Sequence, residues 1–280
     1  MEVWALLSLA ASGILVGFVS GLVGVGGGVL IVPLLYFFYG NPAWSGVELP
    51  QDLHAVVAHA TSLFVIVPIA VIGTWAYHRA GVVSWRSALP MAAFALGAAF
   101  LATRLAPIIP AQGLKLGFGA LLTASGIQLL LPRRVRDTET KNGHLWLGAI
   151  GGVFVGGLSS LLGVGGGIVA IPILVYVVGL GLEKVAATSM AVIVFTATAA
   201  VAGYATAEPG AQLMPPGSLG YIHYMAGLPI LAGSIFSVRL GARVNQRLSA
   251  RKLRMIFGLF FLALGLRLVI ENIHGLPGMG

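Results

Sequence analysis

The sequence predicts an all-α polytopic membrane protein made of two inverted-topology repeats of about five helical segments each. Three observations carry that reading. Of the 280 residues, 58% are hydrophobic and only 9% are charged, whereas a soluble domain carries about 25% charged residues. One stretch occurs twice, GFVSGLVGVGGGVLIVPLL over 17–35 and GGLSSLLGVGGGIVAIPIL over 156–174. Each copy sits inside an apolar run too long for one membrane crossing.

Composition narrows the function classes. The acidic residues Glu2, Glu48, Asp52, Asp137, Glu139, Glu183, Glu208 and Glu271 all lie between or at the ends of apolar runs. The formal charge of +8 fits the Lys/Arg enrichment of cytoplasmic membrane loops better than a nucleic-acid partner. Without cysteine there is no disulfide framework and no thiolate metal site. The first apolar run recurs later in the chain, so it reads as part of the mature fold, not a cleaved signal peptide.

Six runs have the roughly 20 apolar residues of a membrane helix: 54–77, 87–106, 113–131, 184–206, 220–241 and 252–270. The runs 3–39 and 145–182 are different. As one helix each would span about 55 Å, against a hydrocarbon core of about 30 Å. Even a tilt of about 40° absorbs only about 40 Å. Each run must break, and the glycines mark where, since glycine costs about 1 kcal/mol in a helix interior.

The repeat extends beyond the signature. Gly24, Gly26, Gly27, Gly28 and Pro33 match Gly163, Gly165, Gly166, Gly167 and Pro172 at an offset of 139. The offset then becomes 127: Ala60-Thr61-Ser62 meets Ala187-Thr188-Ser189, and Tyr77 meets Tyr204. It returns to 139, where Pro90 meets Pro229 and Phe118-Gly119 meets Phe257-Gly258. The repeats are therefore 1–132 and 144–280, joined by a basic cytoplasmic linker over 133–143.

Charge sets the relative orientation. One crossing per long run splits the Lys and Arg nine to seven between the two sides. An even number of crossings gathers Arg79, Arg86, Arg133, Arg134, Arg136, Lys141, Lys184, Arg239, Arg243, Arg247, Arg251, Lys252 and Arg254 on one side, thirteen to three. The positive-inside rule selects the second arrangement. It gives inverted halves with both termini outside. Parity leaves open whether each broken run is a re-entrant hairpin or two short spans.

The signature then acquires a chemical reading. Irregular backbone at membrane depth must be buried in protein or line a watery cavity. The break 24–28 leaves backbone N–H groups without helical partners. The resuming helix adds a positive dipole end of about half a charge. Together these cradle an anion without a cationic side chain. The candidate substrate-binding residues are Gly24, Gly26, Gly27 and Gly28, with Gly163, Gly165, Gly166 and Gly167 facing them. Pro33 and Pro172, about a turn into the resuming helices, each free a carbonyl. Ser20 and Ser159, just before the glycines, and the pairs Thr61-Ser62 and Thr188-Ser189 offer hydroxyl donors to oxyanion oxygens. Thr196 and Thr198 are weaker candidates. Gly13, Gly17 and Gly21, like Gly152, Gly156 and Ser160, repeat every four residues and read as helix-packing positions. His54 and His59 lie off a common helix face, and no carboxylate or cysteine completes a metal site. His59, beside a Thr-Ser pair and matched by Ala186 in the second half, is a candidate for proton coupling. Arg267 and Glu271 have the spacing of a helix-end ion pair.

The doubled signature, Gly21-Leu-Val-Gly-Val-Gly-Gly-Gly-Val-Leu-Ile-Val-Pro33 and its copy at 160–172, resembles the TauE/SafE family, the sulfite exporters and toluene sulfonate uptake permeases. The Ala-Thr-Ser segments at 60–62 and 187–189 are similar to that family too. Ser160 replaces the first glycine in the second copy, and the 41–53 loop is long. The resemblance covers nearly the whole chain. It implies a multi-pass permease of the bacterial inner membrane for sulfur-containing anions such as sulfite, sulfoacetate or other organosulfonates.

A secondary transporter working by alternating access is the expected function, with a small anion and the lipid bilayer as partners, no nucleic acid, no cofactor, and homo-oligomerisation left open. A channel for anions, or a carrier of another small anion, is the alternative. No cluster of His and carboxylate residues provides the base, nucleophile or metal cage of a membrane enzyme.

Overall fold

The structure is a computed structural model that describes residues 3–131, 145–209, 214–245 and 250–273. The linker 133–143 lies outside the described residues. The first half holds α1 (Val3–Val23), α2 (Gly28–Gly40), the short α3 (Pro42–Ser45), α4 (His54–Arg79), α5 (Trp85–Leu105) and α6 (Ala111–Leu130). The second holds α7 (Leu145–Leu161), α8 (Gly167–Pro172) with a π-helical turn over Ile173–Val177, α9 (Leu182–Ala205), α10 (Tyr224–Asn245) and α11 (Ala250–Ile273). A two-residue hairpin pairs β1 (Ser218–Leu219) with β2 (Ile222–His223) just before α10. The sequence reading placed that segment at the start of a membrane helix.

Among the described residues, six helices are long and apolar enough to cross a membrane: α1, α4, α5 with the turn that follows it, α6, α9 and α10. The chain does not continue one helix through either long run. α1 ends at Val23 and α2 starts at Gly28. α7 ends at Leu161 and α8 starts at Gly167. In the second half the chain doubles back. Cβ atoms built on Gly166, Gly151 and Gly148 would meet Val155, Ile173 and Val178 respectively, so α8 and its π turn run antiparallel along α7. In the first half the cap of α2 likewise returns beside Val16 and Ser20 of α1. The 13 residues of α2 reach about 20 Å, short of a full crossing.

The prolines act differently in the two copies. Pro33 lies inside the continuous α2. Pro172 closes α8, and the ladder after it widens to the π register, with the Val178 N–H on the Ile173 carbonyl at 3.0 Å.

Equivalent contacts pair the halves. Each half's broken first helix packs against the other half's penultimate helix, α1 on α10 and α7 on α5. The small-residue stripes make these contacts. A Cβ on Gly13, Gly17 or Gly21 would strike Ile230, Ser234 or Val238, and one on Gly152 or Gly156 would strike Met91 or Ala95. Adding 139 to the first-half member and subtracting 139 from its partner turns one set into the other: Gly13–Ile230 becomes Gly152–Met91, and Gly17–Ser234 becomes Gly156–Ala95. α4 and α9 pack together as the most buried of the six long helices. They are antiparallel: Gly73 near the end of α4 meets Met190 near the start of α9. α6 and α11 are antiparallel as well, with Gly119 against Gly265 and Gly126 against Leu262.

Candidate functional site

The two glycine breaks touch at the centre of the molecule. A Cβ on Gly28 would lie 2.5 Å from the Gly163 carbonyl oxygen and 2.7 Å from the Val164 Cα; one on Gly167 would lie 2.5 Å from the Val25 Cα. Ile66 of α4 and Ile193 of α9 pack against both Gly26 and Gly165. Each break contains three left-handed glycines, Gly24, Gly26 and Gly27 with φ of 74°, 88° and 83°, then Gly163, Gly165 and Gly166 with 69°, 80° and 115°. Glycine is needed there for backbone conformation. The fourth glycine of each set is needed for the close approach.

Most of the carbonyls that end α1 and α7 have partners. The Gly24 N–H donates to the Ser20 carbonyl at 2.9 Å, and the Val164 N–H to the Ser159 carbonyl at 3.0 Å. The Tyr77 hydroxyl donates to the Gly21 carbonyl at 2.7 Å, and Tyr204 to Ser160 at 3.0 Å. The Leu22 carbonyl accepts from Asn245 Nδ2 at 2.5 Å, while its counterpart Leu161 accepts from His59 Nδ1 at 2.7 Å. These satisfy the orphan acceptors of two helix ends.

The donors are a different matter. The backbone N–H groups of Val25, Gly26, Gly27, Gly28 and Val29 are buried, and among the described residues none of them donates a hydrogen bond. The same holds for Gly165, Gly166 and Gly167. A buried unsatisfied donor costs about 1–3 kcal/mol, so a row of them calls for a ligand or bound water. Those of Gly28 and Val29 begin α2, at its N-terminal, positive end. Two hydroxyls belong to the same set. Ser20 Oγ and Ser159 Oγ are buried without a partner. Ser20 Oγ would lie 3.6 Å from a Cβ on Gly27.

The Thr-Ser pairs are placed beside the breaks, and three of their four hydroxyls are engaged. Thr61 Oγ1 accepts the His223 N–H at 3.0 Å, and Thr188 Oγ1 accepts the Ser84 N–H at 3.1 Å. Each thus pins the backbone leading into a helix of the other half. Ser62 Oγ donates to the Gly163 carbonyl at 2.8 Å, whereas Ser189 Oγ is buried and unpartnered. Thr196 donates to the Gly165 carbonyl at 2.6 Å; Thr198 bonds back to Val194 within its own helix. His54 binds the Leu49 carbonyl at 2.8 Å. Among the described residues no group of three or more His, Asp or Glu side chains is arranged to hold a metal ion. Arg267 and Glu271 pair at 2.7 Å on the exposed face of α11.

Sequence reasoning missed Tyr36 and Asn245 and assigned no role to Tyr77 and Tyr204. Tyr36, whose hydroxyl meets His59 Nε2 at 2.5 Å, has Val175 at the equivalent position. Asn245 corresponds to Ala106, so no repetition marked it. Tyr77 and Tyr204 were visible as a matched pair, and their pairing was the available signal for a shared structural role.

The model of the family described as "Sulfite exporter TauE/SafE" matches residues 9–268. The chain is 28% identical over 262 residues to a probable membrane transporter protein of Methanocaldococcus jannaschii, covering 92% of this chain and 93% of that one. It is 27% identical over 259 residues to a probable membrane transporter protein of Haemophilus influenzae, at 92% and 96% coverage. With the Bacillus subtilis probable membrane transporter protein YunE the identity is 23% over 283 residues, at 95% and 97%. No solved structure matches significantly. Six membrane-length helices and relatives of near-equal length that carry the name of transporter make this a multi-pass membrane transporter. The family match runs through both glycine breaks and both Thr-Ser pairs, and the chain belongs to the TauE/SafE family.

Proposed function

We propose that the protein carries a small sulfur-containing anion, such as sulfite or an organosulfonate, across the bacterial inner membrane by alternating access. The anion binds where the two glycine breaks meet. The observation that carries this reading is the row of buried, unpartnered N–H groups at residues 25–29, reinforced by the unpartnered hydroxyls of Ser20 and Ser159. Donors without a cation suit a small, strongly hydrated oxyanion that must also be released. The family description supplies the sulfur chemistry.

The antiparallel pairs α4–α9 and α6–α11 support opposite membrane orientations for the halves, and the thirteen-to-three split of Lys and Arg supports both termini outside. The two halves rock about the shared site. Burial of both breaks makes this conformation the occluded member of the cycle.

Binding of sulfite, thiosulfate, sulfoacetate and taurine to purified protein tests the reading. At least one sulfur anion binds, and Gly27→Leu and Gly166→Leu abolish its transport in vesicles while protein level persists. Normal transport by both variants rules out the cradle.

A further inference from the structure

The two halves cap the same carbonyl with chemically different side chains. At the end of α1 the Leu22 carbonyl is held by Asn245 Nδ2, and at the end of α7 the equivalent Leu161 carbonyl is held by His59 Nδ1. An amide cannot titrate near neutral pH; an imidazole can. His59 is fully buried. It also touches the second break directly: a Cβ on Gly163 would lie 2.6 Å from the His59 Cα and 2.9 Å from its Cβ. At the mirror position Gly24 packs against Ala186, which carries no polar atom in its side chain.

A carbonyl can only accept, so His59 Nδ1 bears a proton. In the neutral ring Nε2 accepts from the Tyr36 hydroxyl and is open to a second proton. Tyr36 reaches from α2, the helix that resumes after the first break, and is partly exposed. Phe118 walls both rings, at 6.1 Å from His59 and 6.2 Å from Tyr36. The charged and titratable groups facing the pair are few. Lys115 Nζ of α6 stands 5.5 Å from the Tyr36 ring, with Glu271 of α11 interacting with that lysine. Tyr204 of α9 faces Tyr36, and α7 contributes only the Leu161 carbonyl.

We propose that His59 is the proton-binding site of this transporter, and that its protonation strengthens anion binding at the adjacent second glycine break. The proton adds to Nε2, and the Tyr36 hydroxyl turns from donor to acceptor. Nδ1–H keeps its bond to Leu161. The imidazolium lies at the C-terminal end of α7, where the helix dipole favours positive charge. It sets that charge beside a break whose own groups are uncharged donors. Proton and anion each raise the other's affinity by the same factor, which couples anion movement to a proton gradient. This rests on the anion site proposed above.

The test has two readouts on full-length protein. The first needs no anion. In ¹⁵N-histidine-labelled protein in lipid nanodiscs, the His59 resonance, assigned by its loss in His59→Gln, converts from neutral to doubly protonated within about pH 4–9. A resonance that stays neutral throughout overturns the proposal. The second is flux of labelled thiosulfate, a strong-acid anion whose charge is constant over this range, into proteoliposomes. Flux at about pH 5 exceeds that at about pH 8 by about fivefold or more. His59→Gln removes the pH response. Lys115→Gln, which deletes a like charge, moves its midpoint to higher pH. An unaltered response in His59→Gln overturns proton coupling and leaves the anion site standing. Failure of thiosulfate and the other sulfur anions to move at any pH counts against the anion reading, and the resonance still decides the proton site.

Discussion

Gly28 and Gly163 belong to different halves, yet a side chain on the first would press on the carbonyl oxygen of the second at 2.5 Å. Gly167 meets Val25 in the same manner. The breaks therefore meet backbone to backbone, and no other residue type fits at the contact. Gly28→Ala and Gly167→Ala each lower stability by about 1–3 kcal/mol through overpacking and reduce transport sharply. Gly97→Ala, in open space on α5, is neutral or slightly stabilising. Thermal melting in detergent, alongside vesicle flux, measures both.

Ser20 and Ser159 are buried hydroxyls without a partner. Such groups cost the fold and repay nothing unless a ligand uses them. Ser20→Ala and Ser159→Ala therefore leave the melting temperature of the ligand-free protein unchanged or raised. Affinity for the bound anion falls by about fivefold to tenfold, the worth of about 1 kcal/mol of hydrogen bond. Calorimetric titration of each variant with the anion that binds best checks the pair of outcomes.

Tyr77 and Tyr204 hold the Gly21 and Ser160 carbonyls. Removing either hydroxyl orphans a buried acceptor. Tyr77→Phe and Tyr204→Phe each cost about 1–3 kcal/mol, by similar amounts because each holds the carbonyl at the matched position of its signature. Thr61→Val and Thr188→Val strand the His223 and Ser84 N–H groups and fall in the same range. Melting curves for the four variants test this.

The absence of native cysteine makes topology directly measurable. A cysteine placed at exposed Arg86, at the start of α5, reacts with an impermeant maleimide only from the cytoplasm; one at exposed Gln112, at the start of α6, reacts only from outside. A C-terminal reporter is external. A cytoplasmic reporter overturns the inverted arrangement.

The breaks were legible in sequence because two constraints coincide there: a run too long to cross once, and glycines that disfavour helix. The stripes at Gly13, Gly17 and Gly21 announced close packing, but not that α10 would be the partner, since spacing carries no address. The Thr-Ser pairs drew attention by recurring. Their threonine hydroxyls turn out to hold irregular backbone far along the chain, at His223 and Ser84, which no local pattern encodes. Tyr36 and Asn245 were invisible for the opposite reason. Each breaks the repeat, and a single polar residue in an apolar run has no periodicity to betray it. The buried donors of residues 25–29 follow from where helices stop, so their existence was foreseeable and their close apposition to the second break was not.

The central claim is that backbone N–H groups at the two breaks bind the anion. Protein labelled with ¹⁵N-glycine, in lipid nanodiscs, reports on those groups directly. Addition of the transported sulfur anion is expected to shift the amide resonances of Gly26, Gly27, Gly28, Gly165, Gly166 and Gly167, and to leave those of the packing glycines Gly13, Gly17, Gly152 and Gly156 in place. Saturating anion that moves none of the break resonances would contradict the account.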